Sequence, residues 1–254
     1  MSVMLFGNVD WALLALWAFF LFFIALVFYL HRESYREGYP LEDEISGKYD
    51  GRSPLLFIKK KTFKLPFGRG TVTVPDASNR EPVEIAARRT DRSPGSPYVP
   101  TGNPLVDGVG PAAYANRAKL PDLDAEGHPR IVPIGASGLW IEGRDPDPRG
   151  MTVTGVDDAV AGTVTDIWVD KADRLIRYLA VDTGTRTVLA PMFMAKINRR
   201  TNTVKVDAVR ADQFADAPAI DSGDTITMYE EERVSAYFGG GYLYATRARQ
   251  EPII

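Results

Sequence analysis

Apolar residues are distributed very unevenly along the chain. Trp11–Leu30 reads WALLALWAFFLFFIALVFYL, 20 residues without a charge, a Pro or a Gly. At about 1.5 Å of rise per residue, a helix of that length spans roughly 30 Å, the hydrocarbon thickness of a bilayer. Thirteen of those residues are Leu, Ile, Phe or Val. At about −0.3 to −0.6 kcal/mol each near mid-membrane, their insertion gains on the order of 4–8 kcal/mol. Lipid offers the backbone no hydrogen-bond partner, so the segment is predicted to be helical. It reads as a retained anchor. No Lys or Arg precedes it, and it runs out through Tyr29-Leu30-His31-Arg32-Glu33 without a small-residue cleavage site. Arg32, Arg36, Lys48 and Arg52 follow closely, so the positive-inside rule leaves residues 1–10 outside and the remainder inside.

Beyond the anchor the patterning becomes short-range. Residues 31–45 alternate in charge, and Gly38 with Pro40 ends helical continuation. They read either as a solvated membrane exit or as a place where Tyr29, Arg32 and Arg36 meet anionic lipid headgroups. Twelve of the 18 Pro fall between residues 31 and 130. Leu55–Ile58, Thr62–Leu65 and Thr71–Val74 are strand-like, the last two flanking a Gly68-Arg69-Gly70 turn as a hairpin. After Pro75 a long structureless loop inside a compact domain is improbable. The stretch is either disordered or laid across a partner. Ile85, Tyr98, Leu105, Val106, Val109, Tyr114 and Leu120 favour the partner. Gly108-Val109-Gly110-Pro111 lacks the strand that a dinucleotide fingerprint requires, and it reads as a turn into a short helix, Pro111–Arg117.

Strand patterns dominate residues 131–230: Ile131–Ile134, Leu139–Ile141, Val160–Val169, Arg177–Asp182, Thr187–Pro191, Thr203–Val209 and Ile226–Tyr229. Val204 and Val206 alternate with Lys205 and Asp207, the mark of a half-buried strand. Short connections between such strands predict a small antiparallel barrel or sandwich. Residues 230–244 begin acidic like a helix N-terminus and are predicted to stop at Gly239-Gly240-Gly241. The division that follows is residues 1–10, a span at 11–30, an extended segment at 31–130, a β domain at 131–246 and a tail at 247–254.

Composition narrows the chemistry. The net charge is −3 from 30 basic and 33 acidic residues, which argues against nucleic acid as a partner. The absence of Cys removes disulfides and thiolate chemistry, and two His are too few for a multi-His metal site. No P-loop, His-Glu-x-x-His or Gly-x-Ser-x-Gly is present, so neither a catalytic nor a metal site is expected. What remains is ionisable. Asp122, Asp124, Glu126 and His128 share one loop, either a solvated cluster or a proton antenna in which clustered negative charge raises pKa values. Arg177 shares its strand face with Leu179 and Val181. If inward, it needs an acid, and Asp173 is the candidate, as a structural ion pair or as part of a relay.

These residues also carry a family likeness. REGYPLE (Arg36–Glu42), the Lys61–Pro75 hairpin, PTGNPLVDGVGPAAYANRA (Pro100–Ala118), GTVTDIWVD (Gly162–Asp170) and EEERVSAYFGGGYLYAT (Glu230–Thr246) resemble the H subunit of purple-bacterial photosynthetic reaction centres. The resemblance implies one transmembrane helix, an extended Pro-rich surface segment and a mainly β cytoplasmic domain of the PRC-barrel type. It implies a non-catalytic, single-pass protein of the bacterial chromatophore membrane with a periplasmic N-terminus. The partners implied are the L and M subunits, lipids and the light-harvesting 1 antenna. Bacteriochlorophyll, bacteriopheophytin, quinones and non-haem iron are then held by L and M, with none held directly by this chain. The implied role is to cap the cytoplasmic face, shield the quinones and deliver protons to the secondary quinone. Asp124, Glu126 and His128 fall on the family's surface proton-collecting group, with Glu126 where other members can carry His. Asp173 and Arg177 fall on an interior acid–Arg pair, with Asp173 in place of a Glu, and Asp170 and Asp224 fall on further acidic positions. The competing reading is a membrane-tethered PRC-barrel adaptor for RNA or assembly proteins.

Overall fold

The structure is a computed structural model that describes residues 10–34, 36, 59–74 and 84–250. The expected strand Leu55–Ile58 lies outside the described residues. The chain divides into two compact units, Met1–Val83 with Asp91–Ser96, and Glu84–Thr90 with Pro97–Ile254. The second unit therefore reaches back well before residue 131, and residues 97–130 fold with the β domain.

In the first unit, α1 (Trp11–Ser34) carries the apolar run and buries none of its residues. Its length and composition suffice to cross a membrane. Asp10 opens it, its carboxylate accepting the Ala12 N–H at 2.9 Å. Strands β1 (Lys61–Lys64) and β2 (Thr71–Val74) form the expected antiparallel hairpin, with Lys61 opposite Val74. Phe67, Gly68 and Gly70 turn it in the left-handed region.

The second unit begins with a small antiparallel pair, β3 (Ala87–Arg89) and β4 (Tyr98–Pro100). A one-turn helix, α2 (Pro104–Asp107), follows. Asn103 caps it and Gly108 ends it at φ 67°. The helix expected at Pro111–Arg117 is only a 3-10 turn, Gly110–Ala112. β5 (Ile131–Pro133) leads into α3 (Ile134–Ser137). Leu139–Ile141 is loop rather than strand.

The core is one sheet of β6 (Thr152–Thr154), β7 (Val160–Asp170), β8 (Leu175–Asp182), β9 (Thr187–Pro191), β10 (Ala195–Asn198) and β11 (Thr203–Val206). Its order is β10-β11-β6-β7-β8-β9, with β5 beside β7. Two corrections concern this sheet. It is not a closed barrel, since no pairing joins β10 to β9 among the described residues. It is also not wholly antiparallel, since β11 runs parallel to β6. Val204 and Val206 are buried and Lys205 is not, as the alternation required.

A final helix, α4 (Met228–Tyr244), covers the sheet. Phe238 meets Phe214 edge-on at 5.6 Å, and the Tyr237 hydroxyl donates to the Gln213 carbonyl at 2.7 Å. The expected strand Ile226–Tyr229 is replaced by the start of this helix. Thr227 and Glu230 form a capping box, which satisfies the first free N–H groups. The helix also runs straight through Gly239-Gly240-Gly241, where a stop was expected. A Cβ on Gly240 would meet Ala112 Cβ at 2.5 Å, and one on Gly241 would strike the Ala208 carbonyl oxygen. These glycines are close-approach positions, and the packing they allow outweighs their poor helix propensity.

Candidate functional site

Residues 122–130 form a tight loop. Leu123 bridges Pro129, and the Asp124 N–H donates to the His128 carbonyl at 2.8 Å. Gly127, at φ 88°, permits the reversal. Asp124 Oδ1 accepts the backbone N–H groups of His128 at 2.7 Å and Glu126 at 3.2 Å. Its Oδ2 lies 3.4 Å from Lys171 Nζ. The His128 backbone N–H and the Lys171 ammonium hold the Asp124 carboxyl below its ordinary value. This reverses the expected direction for Asp124. It stays ionised and steadies the loop. The His128 ring beside it is solvent-facing, its Nδ1 3.7 Å from Asp124 Oδ1, and the Glu126 side chain is exposed.

Arg130 sits at the exit of this loop. The register of β5 on β7 sets Ile131 opposite Asp170, so Arg130 reaches the end of β7. Its Nη2 donates to Asp170 Oδ2 and to Asp173 Oδ2, both at 2.7 Å. Its Nε donates to Asp170 Oδ1 at 3.3 Å and its Nη1 to Asp122 Oδ2 at 3.3 Å. Asp170 is almost fully buried and also accepts the Ala172 and Asp173 N–H groups, at 2.9 and 3.1 Å. The Asp170 carboxylate, with Asp173 and Asp122, raises Arg130 further above its already high ordinary value. One guanidinium thus gathers three carboxylates, with donors enough for all of them.

The expected Asp173–Arg177 pair is absent. Asp173 belongs to Arg130, and Arg177 Nη2 lies 3.8 Å from Glu231 Oε2 on α4. The cause is a β-bulge. Trp168 pairs with Tyr178 and Val169 with Ile176, so Arg177 has no opposite residue and the inward–outward alternation slips there. Its side chain is 45% exposed, so the buried charge that demanded Asp173 does not exist. Glu231 is the more buried partner. Burial pushes its carboxyl above the ordinary value, against the pull of Arg177 and of the Tyr178 hydroxyl, 3.4 Å away. Asp122, Arg177, Tyr178 and Glu231 line a cleft of about 310 Å³.

The remaining candidates stand apart. Asp224 is exposed, its N–H donating to Ser222 Oγ at 3.2 Å, and no ion pair joins it to the cluster among the described residues. Tyr29 and Arg32 are exposed on α1. Arg36 is instead bound by Glu33, with Nε to Oε2 at 2.8 Å, and it also donates to the Lys59 carbonyl. Its charge is thus already matched within the chain. Arg130 and Lys171 were not singled out from sequence, and Glu231 was read with Glu230 and Glu232 only as helix N-terminal charge. Glu231 was legible in principle, because Thr227-x-x-Glu230 is a capping-box signature that assigns Glu230 and frees its neighbour.

Residues 3–136 match the family described as the photosynthetic reaction centre, H-chain N-terminal region. Residues 141–213, which include β6 to β11, match the PRC-barrel domain. The loop of Asp124 and His128 and the guanidinium of Arg130 lie in the first match, Asp170 and Asp173 in the second. Since the first match spans more than half of the chain, the chain, which also carries one apolar helix long enough to anchor it in a membrane, belongs to the photosynthetic reaction centre H-chain family, whose members associate with the other subunits of that complex.

Proposed function

We propose that this subunit caps the cytoplasmic face of the L and M subunits, shields their quinones from bulk water and conducts protons toward the secondary quinone. It catalyses nothing itself. Its N-terminus is periplasmic, its β domain cytoplasmic, and it also meets the light-harvesting 1 antenna and membrane lipids. Bacteriochlorophyll, bacteriopheophytin, quinones and non-haem iron belong to L and M. Two-electron reduction of a quinone consumes two protons.

One observation carries this reading. Ionisable groups follow one another from the exposed His128 through Asp124 and Lys171 to the Arg130–Asp122–Asp170–Asp173 cluster. The cleft of Glu231 adjoins that cluster through Asp122. The roles differ along the way. His128 presents an exposed imidazole at the surface, its Nδ1 3.7 Å from Asp124 Oδ1. Asp124 supplies a fixed negative charge that attracts protons to it. Arg130 cannot release a proton. It holds Asp122, Asp170 and Asp173 together as a compact acidic relay. Glu231, whose carboxyl burial pushes above its ordinary value, accepts a proton more readily than an ordinary carboxylate does.

Replacing Asp124 and His128 together by Ala tests the reading in the assembled complex. Proton uptake after the second flash is expected to slow by about 100-fold, the low end of the range for a lost general acid–base group. Primary charge separation is expected to stay unchanged. Wild-type uptake kinetics in that variant would remove the assignment.

A further inference from the structure

The stretch Gly108-Val109-Gly110-Pro111-Ala112-Ala113-Tyr114-Ala115-Asn116-Arg117-Ala118-Lys119-Leu120 takes no part in the proton path. Its shape is nonetheless tightly set. A Cβ on Gly108 would lie 2.9 Å from the Tyr114 ring, so the missing side chain seats that tyrosine. Farther on, the chain pairs with the start of α4. Tyr229 N–H donates to the Ala118 carbonyl at 3.2 Å and Met228 N–H to the Leu120 carbonyl at 3.0 Å. Two cations and two rings are thereby brought together. Tyr114 and Tyr229 meet edge-on at 5.9 Å. The Arg233 guanidinium lies 5.5 Å from the first ring and 5.6 Å from the second. Lys119 Nζ lies 5.1 Å from the Tyr229 ring.

The acids nearby are committed elsewhere. Glu230 closes the capping box with Thr227. Glu231 faces Arg177 and Tyr178. Glu232 lies 3.8 Å from Arg117. Among the described residues no carboxylate pairs with Arg233 or Lys119, and Arg233 Nε is buried without a hydrogen-bond partner. A buried, unpaired guanidinium N–H is costly. All of Ala113–Leu120 is exposed, and it carries Arg117 and Lys119 without an acid. The cluster is therefore a basic face framed by aromatic walls, in a chain made to associate with other subunits.

We infer that the Tyr114–Lys119–Tyr229–Arg233 face is a docking point for an acidic segment of another reaction centre subunit, whose carboxylate pairs with the Arg233 fork. A carboxylate is planar and matches a guanidinium edge bidentately. The inference rests on membership of a multi-subunit complex and is independent of proton conduction.

The test uses the whole complex in mild detergent, immobilised through another subunit and washed with rising salt. Arg233→Gln is expected to weaken retention of this subunit by about tenfold, the size of one lost hydrogen bond to a charged group. Lys119→Gln weakens it less and flattens the salt dependence. Arg233→Lys keeps the salt dependence but recovers only part of the retention, because it lacks the fork. Proton uptake in retained complexes stays at the wild-type rate, which separates this result from any failure of the proton path. Unchanged retention in both Gln variants overturns the inference. Loss of bound anionic lipid from the variants, with retention unchanged, also overturns it and assigns the face to a headgroup. Lys119 is exposed, so its variant decides the matter even if Arg233→Gln disturbs folding.

Discussion

Arg130 is the side chain on which the acidic cluster depends, and its value can be weighed against that of Arg177. Asp170 is a carboxylate 3% exposed, and Arg130 gives it two hydrogen bonds. Removing one partner of a buried pair leaves an uncompensated charge, at a cost of about 3–5 kcal/mol. Asp170 would keep the Ala172 and Asp173 N–H groups. Arg130→Met is therefore expected near the low end, about 3 kcal/mol of lost stability in denaturant titration of the full-length protein in detergent. Arg177→Met removes only a 3.8 Å contact from a half-exposed side chain, and is expected to cost under about 1 kcal/mol. Equal losses would mean that the ion pairs are not distributed as described. Sequence patterning made the opposite choice, setting Arg177 inward with Asp173. Leu179 and Val181 are buried, as that reading requires, but the bulge that leaves Arg177 unpaired breaks the parity just before them. Arg130 was illegible for a related reason. It precedes a three-residue strand, and only the register of that strand on β7 brings it to Asp170. Long-range register is not written in local periodicity.

The α4 helix gives the same lesson with backbone in place of charge. Its acidic start was legible from Glu230-Glu231-Glu232, since carboxylates suit a helix N-terminus. Its end was misread because three consecutive glycines, each about 1 kcal/mol worse than Ala in a helix, argue for a stop. Two of them are instead contact surfaces. Gly240 lies against Ala112, and Gly241 lies against the Ala208 carbonyl, which also accepts from Arg249 Nη1 at 2.9 Å. Gly239 meets nothing within 4 Å. The three positions should therefore respond with opposite signs. Gly239→Ala is expected to stabilise the domain by about 0.4–1 kcal/mol, because Ala restricts the unfolded chain and favours the helix. Gly241→Ala forces a methyl into backbone and is expected to destabilise by about 3 kcal/mol. Thermal unfolding of the two variants side by side checks the claim. If Gly241→Ala were tolerated as well as Gly239→Ala, the helix would not be seated on Ala208.

The two compact units assign the chain to two solvents. No apolar side chain of α1 is buried within the protein, from Trp11 to Leu30. The second unit instead has an ordinary buried core that includes Val153, Ile167, Phe214 and Phe238. An outward-facing apolar helix is stable only where lipid replaces water around it. This contrast was fully legible in the sequence, because it depends on composition and not on register. The proposed orientation rests on charge. Asp10 is the only charged residue before the helix, whereas Arg32 lies in its last turn and Arg36, Lys48 and Arg52 follow it. Basic residues near a span favour the cytoplasmic side. In sealed vesicles with the cytoplasmic surface outward, protease is therefore expected to digest residues 84–250 freely. In vesicles of the opposite sense the same residues should survive until detergent is added. Adding Lys residues at positions 2 and 8 while replacing Arg32 and Arg36 by Gln should shift a fraction of chains to the reverse orientation, read by the same digestion. Protection of the β domain in cytoplasm-out vesicles would set the acidic cluster on the wrong side of the membrane, and no route from His128 could then supply protons from the cytoplasm.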